Sequence, residues 1–402
     1  MNKILSYLIV ILFISCNSKP KKETQTNAAE KEKWSVRMAN SVMHTSDTLL
    51  YFEKINNPAR NYKDGDWDYD VGYMGSAIAR LGNIDPKYSK YLADYINYFI
   101  QEDGTVKGYE KEEYNIDRVN PAKNLFSLYQ KTGEEKYKIA LEQFVDQMRT
   151  HPKTSDGGFW HKKIYPHQMW LDGLYMASPF LAQYAKEFDQ PEWFDVVAHQ
   201  ILLVYEKTYD PETGLLYHAQ DESKEQAWAD PKTGRSSYFW GRSIGWYLMA
   251  IVDVLDYLPE DHPERDQIIK IFQQTVDAVL KVRYPEAGVW YQIMDLPNRE
   301  GNYKEGSCTA MFTYSIAKGA KNGYLDESYL DVANDCFDDM VDVFITEDED
   351  GYIKMQNICG GAGLGGNPYR DGSFEYYVTE DIVVNDCKGV APFIDAAIEL
   401  DR

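Results

Sequence analysis

The connections between helical stretches alternate between short and long, and few folds accommodate that pattern through six helix pairs. Helical periodicity recurs from Trp34 onward: Tyr329, Ala333, Phe337, Val341 and Phe344 form one apolar stripe, and Ile268, Phe272, Val276 and Leu280 form another. Twelve helices are predicted, at 34–57, 68–82, 86–101, 119–132, 135–150, 168–187, 191–206, 239–257, 263–282, 306–320, 326–346 and 378–399. The short connections carry helix punctuation: Gly82 to Pro86, Thr132-Gly133, Asp189 to Pro191, Asp261 to Pro263 and Gly323 to Asp326. Each places a glycine, or a polar cap before a proline, where one helix stops and the next begins. The others run long, at 58–67, 102–118, 151–167, 207–238, 283–305 and 347–377. Tight turns at one end and long loops at the other describe a toroid of hairpins with one elaborated face. The predicted fold is therefore all-α, an (α/α)6 barrel. An open solenoid of helix pairs is the rival, but no fixed repeat length or repeated consensus supports it.

The long loops end where alternate helices start, and loops on a rigid scaffold are where binding and catalytic groups usually sit. Those starts carry Asp66 to Tyr69 with Gly72, then Asp117-Arg118 and Asn120, His167 to Gly173, Trp240 to Trp246, Gly306-Ser307 and Tyr369 to Gly372. Small residues such as Gly72, Gly75, Gly173 and Gly245 suit an inner ring whose backbones come close.

Within this pattern the stretch Phe159 to Tyr184 stands out. A loop crowded with His161, Lys162, Lys163 and His167 runs into an apolar, small-residue helix that carries Asp172. A carboxylate there is costly to desolvate unless something uses or pairs it, and Asp172 is too far past Pro166 to read as a simple cap. Asp117, in NIDRVNPAKN, is read evenly as a second acid, which would raise the pKa of Asp172 by like-charge repulsion, and as a cap or partner of Arg118. Arg242 lies between Trp240 and Trp246, offering a fork for a carboxylate between flat walls for a sugar ring. His161, Lys162 and His218 fall on the same loop face. The glycine-rich run from Cys359 to Tyr377 lacks the lysine and strand context of a nucleotide loop and is read as a turn that brings Tyr369 and Arg370 over the pocket.

A formal charge of −22 excludes nucleic acid as a natural partner, so the basic cluster near Asp172 must act locally against the global field. The 32 Tyr and 9 Trp suit sugar surfaces, although most of the tyrosines are read as packing between helices. Residues 1–16, MNKILSYLIVILFISC, read as a secretory signal of lipoprotein type ending at Cys16, with 17–33 as a tether and 34–402 as the catalytic domain. That predicts an exported periplasmic or cell-surface lipoprotein that meets the membrane only through its anchor. Cys308, Cys336, Cys359 and Cys387 fit no zinc spacing and are treated as structural. No HExxH or other dense ligand cluster occurs, so neither metal nor cofactor is expected.

Together, His167-Gln168-Met169-Trp170-Leu171-Asp172, the run Trp240 to Trp246 and the run Gly366 to Tyr377 resemble glycoside hydrolase family 105, the unsaturated rhamnogalacturonyl or glucuronyl hydrolases related to family 88. The resemblance spans nearly the whole chain after the tether. It implies the helical barrel, Asp172 as general acid/base, and Asp117, His161, Lys162, His218, Trp240, Arg242 and Trp246 at active-site or substrate-binding positions. Ile244 departs from the polar residue of many relatives, which bears on subsites. By the same resemblance the substrate is the 4,5-unsaturated uronic acid that polysaccharide lyases leave at a non-reducing end, cleaved by hydrating its vinyl ether without a cofactor. Rhamnose-containing oligosaccharides are expected, ulvan-derived ahead of rhamnogalacturonan. The competing readings are a non-catalytic glycan-binding lipoprotein on the same scaffold and a helical adaptor for protein partners.

Overall fold

The computed structural model describes residues 32–60 and 65–402. Among these, twelve helices of ten residues or more succeed one another: α1 Trp34–Thr45, α2 Tyr69–Ala79, α3 Pro86–Phe99, α4 Lys123–Thr132, α5 Glu135–Thr150, α6 Leu171–Glu187, α7 Glu192–Thr208, α8 Gly241–Val254, α9 Arg265–Lys281, α10 Gly306–Lys321, α11 Tyr329–Phe344 and α12 Cys387–Glu399. A 3-10 segment, Ile116–Ala122, leads directly into α4.

The even-numbered helices close a ring. α2 packs on the lead-in of α4, that lead-in on α6, α6 on α8, α8 on α10, α10 on α12, and α12 back on α2. Each odd-numbered helix backs an inner one: α3 on α2, α5 on α4, α7 on α6, α9 on α8, α11 on α10, and α1 on α12. This is the (α/α)6 barrel that the loop alternation predicts, and its closure excludes the open solenoid.

The two rings differ for a physical reason. Inner helices are covered on every side, and all residues of α8 from Gly241 to Val252 are buried. Outer helices bury one stripe: α11 buries Ala333, Cys336, Phe337, Met340 and Phe344 and turns Asp331, Asp335 and Asp338 away from it. Close backbone approach explains two glycines. A Cβ on Gly72 would sit 2.8 Å from the Pro121 Cβ, and one on Gly245 would sit 2.7 Å from the Met311 Sδ. The tight turns are capped as expected: Asp85 accepts from the Lys87 N–H with Pro86 at the first helical position, and Gly133 takes a φ of 69° after α4.

Several helix boundaries differ from prediction, three of them for reasons visible in the local hydrogen bonding. The first helix stops at Thr45, because Ser46 is extended and the Thr48 side chain, accepting from the Leu50 N–H, starts a separate turn. The helix predicted from 168 begins at Leu171, since Gln168–Trp170 is a strand paired antiparallel with Ala219–Asp221. The last helix begins at Cys387, because Ile382–Val383 pairs with Ile358–Cys359 and Asp386 caps α12 through the Lys388 N–H. The four cysteines of the barrel are buried free thiols. The predicted signal, its Cys16 and nearly all of the tether lie outside the described residues.

Candidate active site

The long loops gather over the N-terminal ends of the inner helices, and they are stitched to one another. Pairing of Met169 with Gln220 joins the loop before α6 to the loop after α7. Arg370 then fastens the glycine-rich loop to the first: its guanidinium donates to the Tyr165 hydroxyl at 2.8 Å and to the Gly365 and Leu364 carbonyls. It lies over the Tyr165 and Trp170 rings. Trp170 is itself clasped between His161 and Tyr165, with ring centroids 4.4 and 5.0 Å away. This pile of flat groups holds the loops rigid without any covalent tie.

Asp172 sits second in α6, in its first turn, closer to a capping position than the spacing from Pro166 suggested. It makes no capping hydrogen bond. Its Oδ2 lies 3.2 Å from the Nε2 of His218, whose side chain is fully buried. Neither atom has a hydrogen-bond partner among the described residues. The other ring nitrogen, Nδ1, is 2.7 Å from the Tyr377 hydroxyl. Trp240 and Trp170 wall the imidazole, with centroids at 4.7 and 5.5 Å. The result is a carboxyl beside an imidazole whose orientation is fixed from behind, an arrangement able to hold or move one proton.

Asp117 occupies the lead-in to α4 and is buried. It pairs with the Lys162 ammonium at 2.6 Å and approaches the His161 Nε2 at 3.5 Å, whereas Arg118 turns to Asp66. Burial alone would raise the Asp117 carboxyl, but Lys162 and then His161 outweigh it and hold its pKa below the ordinary value. Asp117 therefore stands ionised and neutralised. The expectation that it confronts Asp172 as a bare like charge is corrected: Lys162 takes up its charge, and His161 interacts with both acids.

Arg242 differs more. Its side chain is 1% exposed and opposes a Glu305 that is 0% exposed. Nε donates to the Ser307 hydroxyl at 2.8 Å, and Nη2 donates to Glu305 and to the Cys359 carbonyl. The fork that the sequence offered to a substrate is thus spent inside the protein, with Nη1 alone left without a partner. Trp240 and Trp246 are also buried and are not open walls. Trp240 donates through Nε1 to Gln292, and Trp246 lies deeper in the ring, stacked on Tyr175 at 4.9 Å. Tyr369 is 48% exposed at the rim, its hydroxyl 3.4 Å from Gln226.

Tyr377, Glu305 and Asp68 are site residues that the motifs do not single out. Tyr377 ends the glycine-rich run but gives no local sign of reaching His218, 159 residues away in the chain. Glu305 is visible as an acid just before Gly306-Ser307, a capping position, and its carboxylate accepts from the Cys308 and Cys359 N–H groups. Asp68 caps α2, and burial pushes its carboxyl up to about 7, aided by Asp70 and Asp117 and opposed by Arg118.

His151 clamps the loop that carries His161, donating from Nε2 to the Trp160 carbonyl at 2.8 Å. Burial pushes its pKa down to about 4. The unfolded chain takes up this proton near pH 6.5 and the folded one only near 4, so the stability it contributes is full above 6.5 and is lost as pH falls. Comparing wild type with His151→Gln cancels every other titrating group. Wild type should lose about 2 kcal/mol relative to the variant between pH 7 and pH 5, read from unfolding curves at both pH values. Parallel pH profiles for the two proteins would refute this.

Comparison with known proteins identifies the family and the fold. The model of a family described as Glycosyl Hydrolase Family 88 matches residues 34–402. A solved family 105 glycoside hydrolase from C. acetobutylicum ATCC 824 superposes with a TM-score of 0.87 at 43% identity, covering 92% of this chain and 99% of that one. Unsaturated rhamnogalacturonyl hydrolase YesR of Bacillus subtilis is 24% identical over 262 residues, 64% of this chain and 71% of its own. An unsaturated 3S-rhamnoglycuronyl hydrolase of Formosa agariphila is 29% identical over 164 residues, 40% of this chain and 42% of its own.

Proposed function

The chain belongs to glycosyl hydrolase family 88, and from that premise we propose that it removes 4,5-unsaturated uronic acid from the non-reducing end of lyase-generated, rhamnose-containing oligosaccharides. The observation that carries the reading is the Asp172–His218 pair, 3.2 Å apart, with both facing atoms unpartnered. An ordinary glycosidase brackets the anomeric carbon with two carboxylates. Here the second acid, Asp117, is tied to Lys162 and does not form such a bracket with Asp172.

A vinyl ether needs one acid. Asp172 delivers its proton to C4, and the positive charge that develops at C5 is shared by the ring oxygen. Water adds at C5 while the Asp172 carboxylate takes the proton that water loses, which restores the acid. The hemiketal opens to a ketone, and the hemiacetal left at C1 expels the neighbouring sugar. One water is consumed and the enzyme ends as it began. His218 steadies the carboxyl in both states, and Asp117, His161 and Lys162 present a polar edge to the sugar acid. Arg242 and Trp240 act mainly by fixing the walls.

Two of the relatives named above act, by their names, on rhamnogalacturonyl and 3S-rhamnoglycuronyl substrates. An acidic exported chain suits the second class, and ulvan fragments are favoured over pectic ones. The test is loss of the alkene absorbance on mixing the protein with lyase-treated ulvan or rhamnogalacturonan. No loss with either from folded protein refutes the reading, and faster loss with the pectic fragments refutes the ulvan preference. Export and anchoring at Cys16 are part of the same proposal: Cys16→Ser should move the protein from the membrane fraction to the soluble one.

Tyr377 is a positioning residue in this scheme. Tyr377→Phe strips Nδ1 of its partner and should lower kcat about tenfold with KM little changed, at a stability cost of roughly 1–3 kcal/mol. A rise in KM with kcat intact would instead place Tyr377 among the groups that bind substrate.

A further inference from the structure

A second cavity, of about 390 Å³, opens at the other end of the ring. The cleft uses the N-terminal ends of the inner helices, whereas this cavity is lined by residues further along the same helices, down to Asn322 and Glu399 at their far ends. Tyr73, Tyr175, Asp253, Tyr314 and Asp395 are among its walls. Trp246 separates the two, packing on Tyr73 at 5.9 Å and on Tyr175 at 4.9 Å. Small-molecule sites usually fall between roughly 300 and 1,000 Å³.

The charges on its walls are mostly spent in pairs. On one side Arg80 holds Asp395 and Glu399, with the Tyr73 hydroxyl donating to Asp395 at 2.9 Å. On the other, Lys318 holds Asp253 and Asp256, and the Tyr314 hydroxyl donates to Asp253. Between them stands Lys123. Its ammonium lies 4.1 Å from the Tyr175 ring centroid and 5.8 Å from that of Tyr73, and no carboxylate of the described residues comes within ion-pair distance. Burial pushes its pKa down to about 8. A cation kept over aromatic faces, on which Asp253 and Asp395 act only from beyond ion-pair distance, can take up one carboxylate. More highly charged anions would meet the surrounding carboxylates. Those carboxylates suit hydroxyl donors: the bonds from Lys318 and Tyr314 both go to the Asp253 Oδ1, leaving Oδ2 as an acceptor.

We propose that this far-side cavity is a second binding site, taking a monosaccharide acid whose carboxylate meets Lys123 and whose hydroxyls donate to Asp253. The site is distinct from the hydrolytic cleft and does not rest on the activity assigned to it. D-galacturonate, which carries no alkene and is not hydrolysed, is the probe. Calorimetric titration should show binding that Lys123→Met weakens at least tenfold, that Lys123→Arg retains, and that D-galactose matches only at tenfold higher concentration or above. Lys123→Met should still consume the alkene of an unsaturated disaccharide, so failure here and failure of the proposed hydrolysis read out separately. A crystal of the wild-type chain soaked in galacturonate should place the carboxylate at Lys123, whatever the variants do. Equal affinity for galactose, no effect of Lys123→Met, no binding, or density in the catalytic cleft alone would each overturn the proposal.

Discussion

Asp172→Asn should lower kcat on an unsaturated disaccharide by roughly a thousandfold or more, within the 10²–10⁴ range of general acid–base catalysis or beyond it. The amide has nearly the shape of the acid but has no proton to give to C4, and it takes none from the attacking water. Both proton transfers pass through this one group, so the loss exceeds that of removing an assistant. His218 would still face the side chain at about its present 3.2 Å, and the walls made by Trp170 and Trp240 would stand. Affinity should therefore survive. The alkene assay gives kcat, and titration of the variant with intact disaccharide gives binding. A variant that keeps a tenth of the rate would move the acid elsewhere, and Asp68, with its carboxyl held up to about 7, is where to look next.

Glu305→Ala should be among the most destabilising single changes in the barrel, at roughly 3–5 kcal/mol, the cost of stripping one partner from a buried ion pair. The carboxylate opposes the Arg242 guanidinium, accepts from Ser307, caps α10 through the Cys308 N–H and accepts from the Cys359 N–H at 2.9 Å. Alanine leaves a fully buried positive charge and two amide donors with nothing to bond. Three structural parts meet at this point: the start of α8, the start of α10 and the base of the glycine-rich loop. The variant's urea midpoint should fall steeply, and the double change Arg242→Met with Glu305→Gln should recover part of the loss because no charge is then stranded. A loss below about 1 kcal/mol would mean that water reaches the guanidinium and the pair is not truly buried.

Asp172 could be chosen from the chain because an acid among small apolar residues, just after a histidine-rich loop, is expensive for any reason but use. Its partner could not be chosen. His218 was one of several loop histidines, and only the strand pairing of Gln168–Trp170 with Ala219–Asp221 brings its backbone alongside α6. Arg242 shows the opposite failure. Flanked by two tryptophans it read as a ligand for substrate, yet an acid 63 residues later claims its fork, and nothing local records that.

The ring was determined by the sequence alone: helix number and which ends carry long loops come from apolar periodicity and from glycine, proline and capping residues, all of which act within a few residues of themselves. Only the tertiary structure decided the state of each polar group in the site. Asp117 is paired, Arg242 is committed, His218 is oriented by Tyr377, and Lys123 has no acid at ion-pair distance among the described residues. Charge pairing and desolvation depend on distances across the barrel, between residues that the chain separates by up to hundreds of positions, so they are settled only when the ring closes.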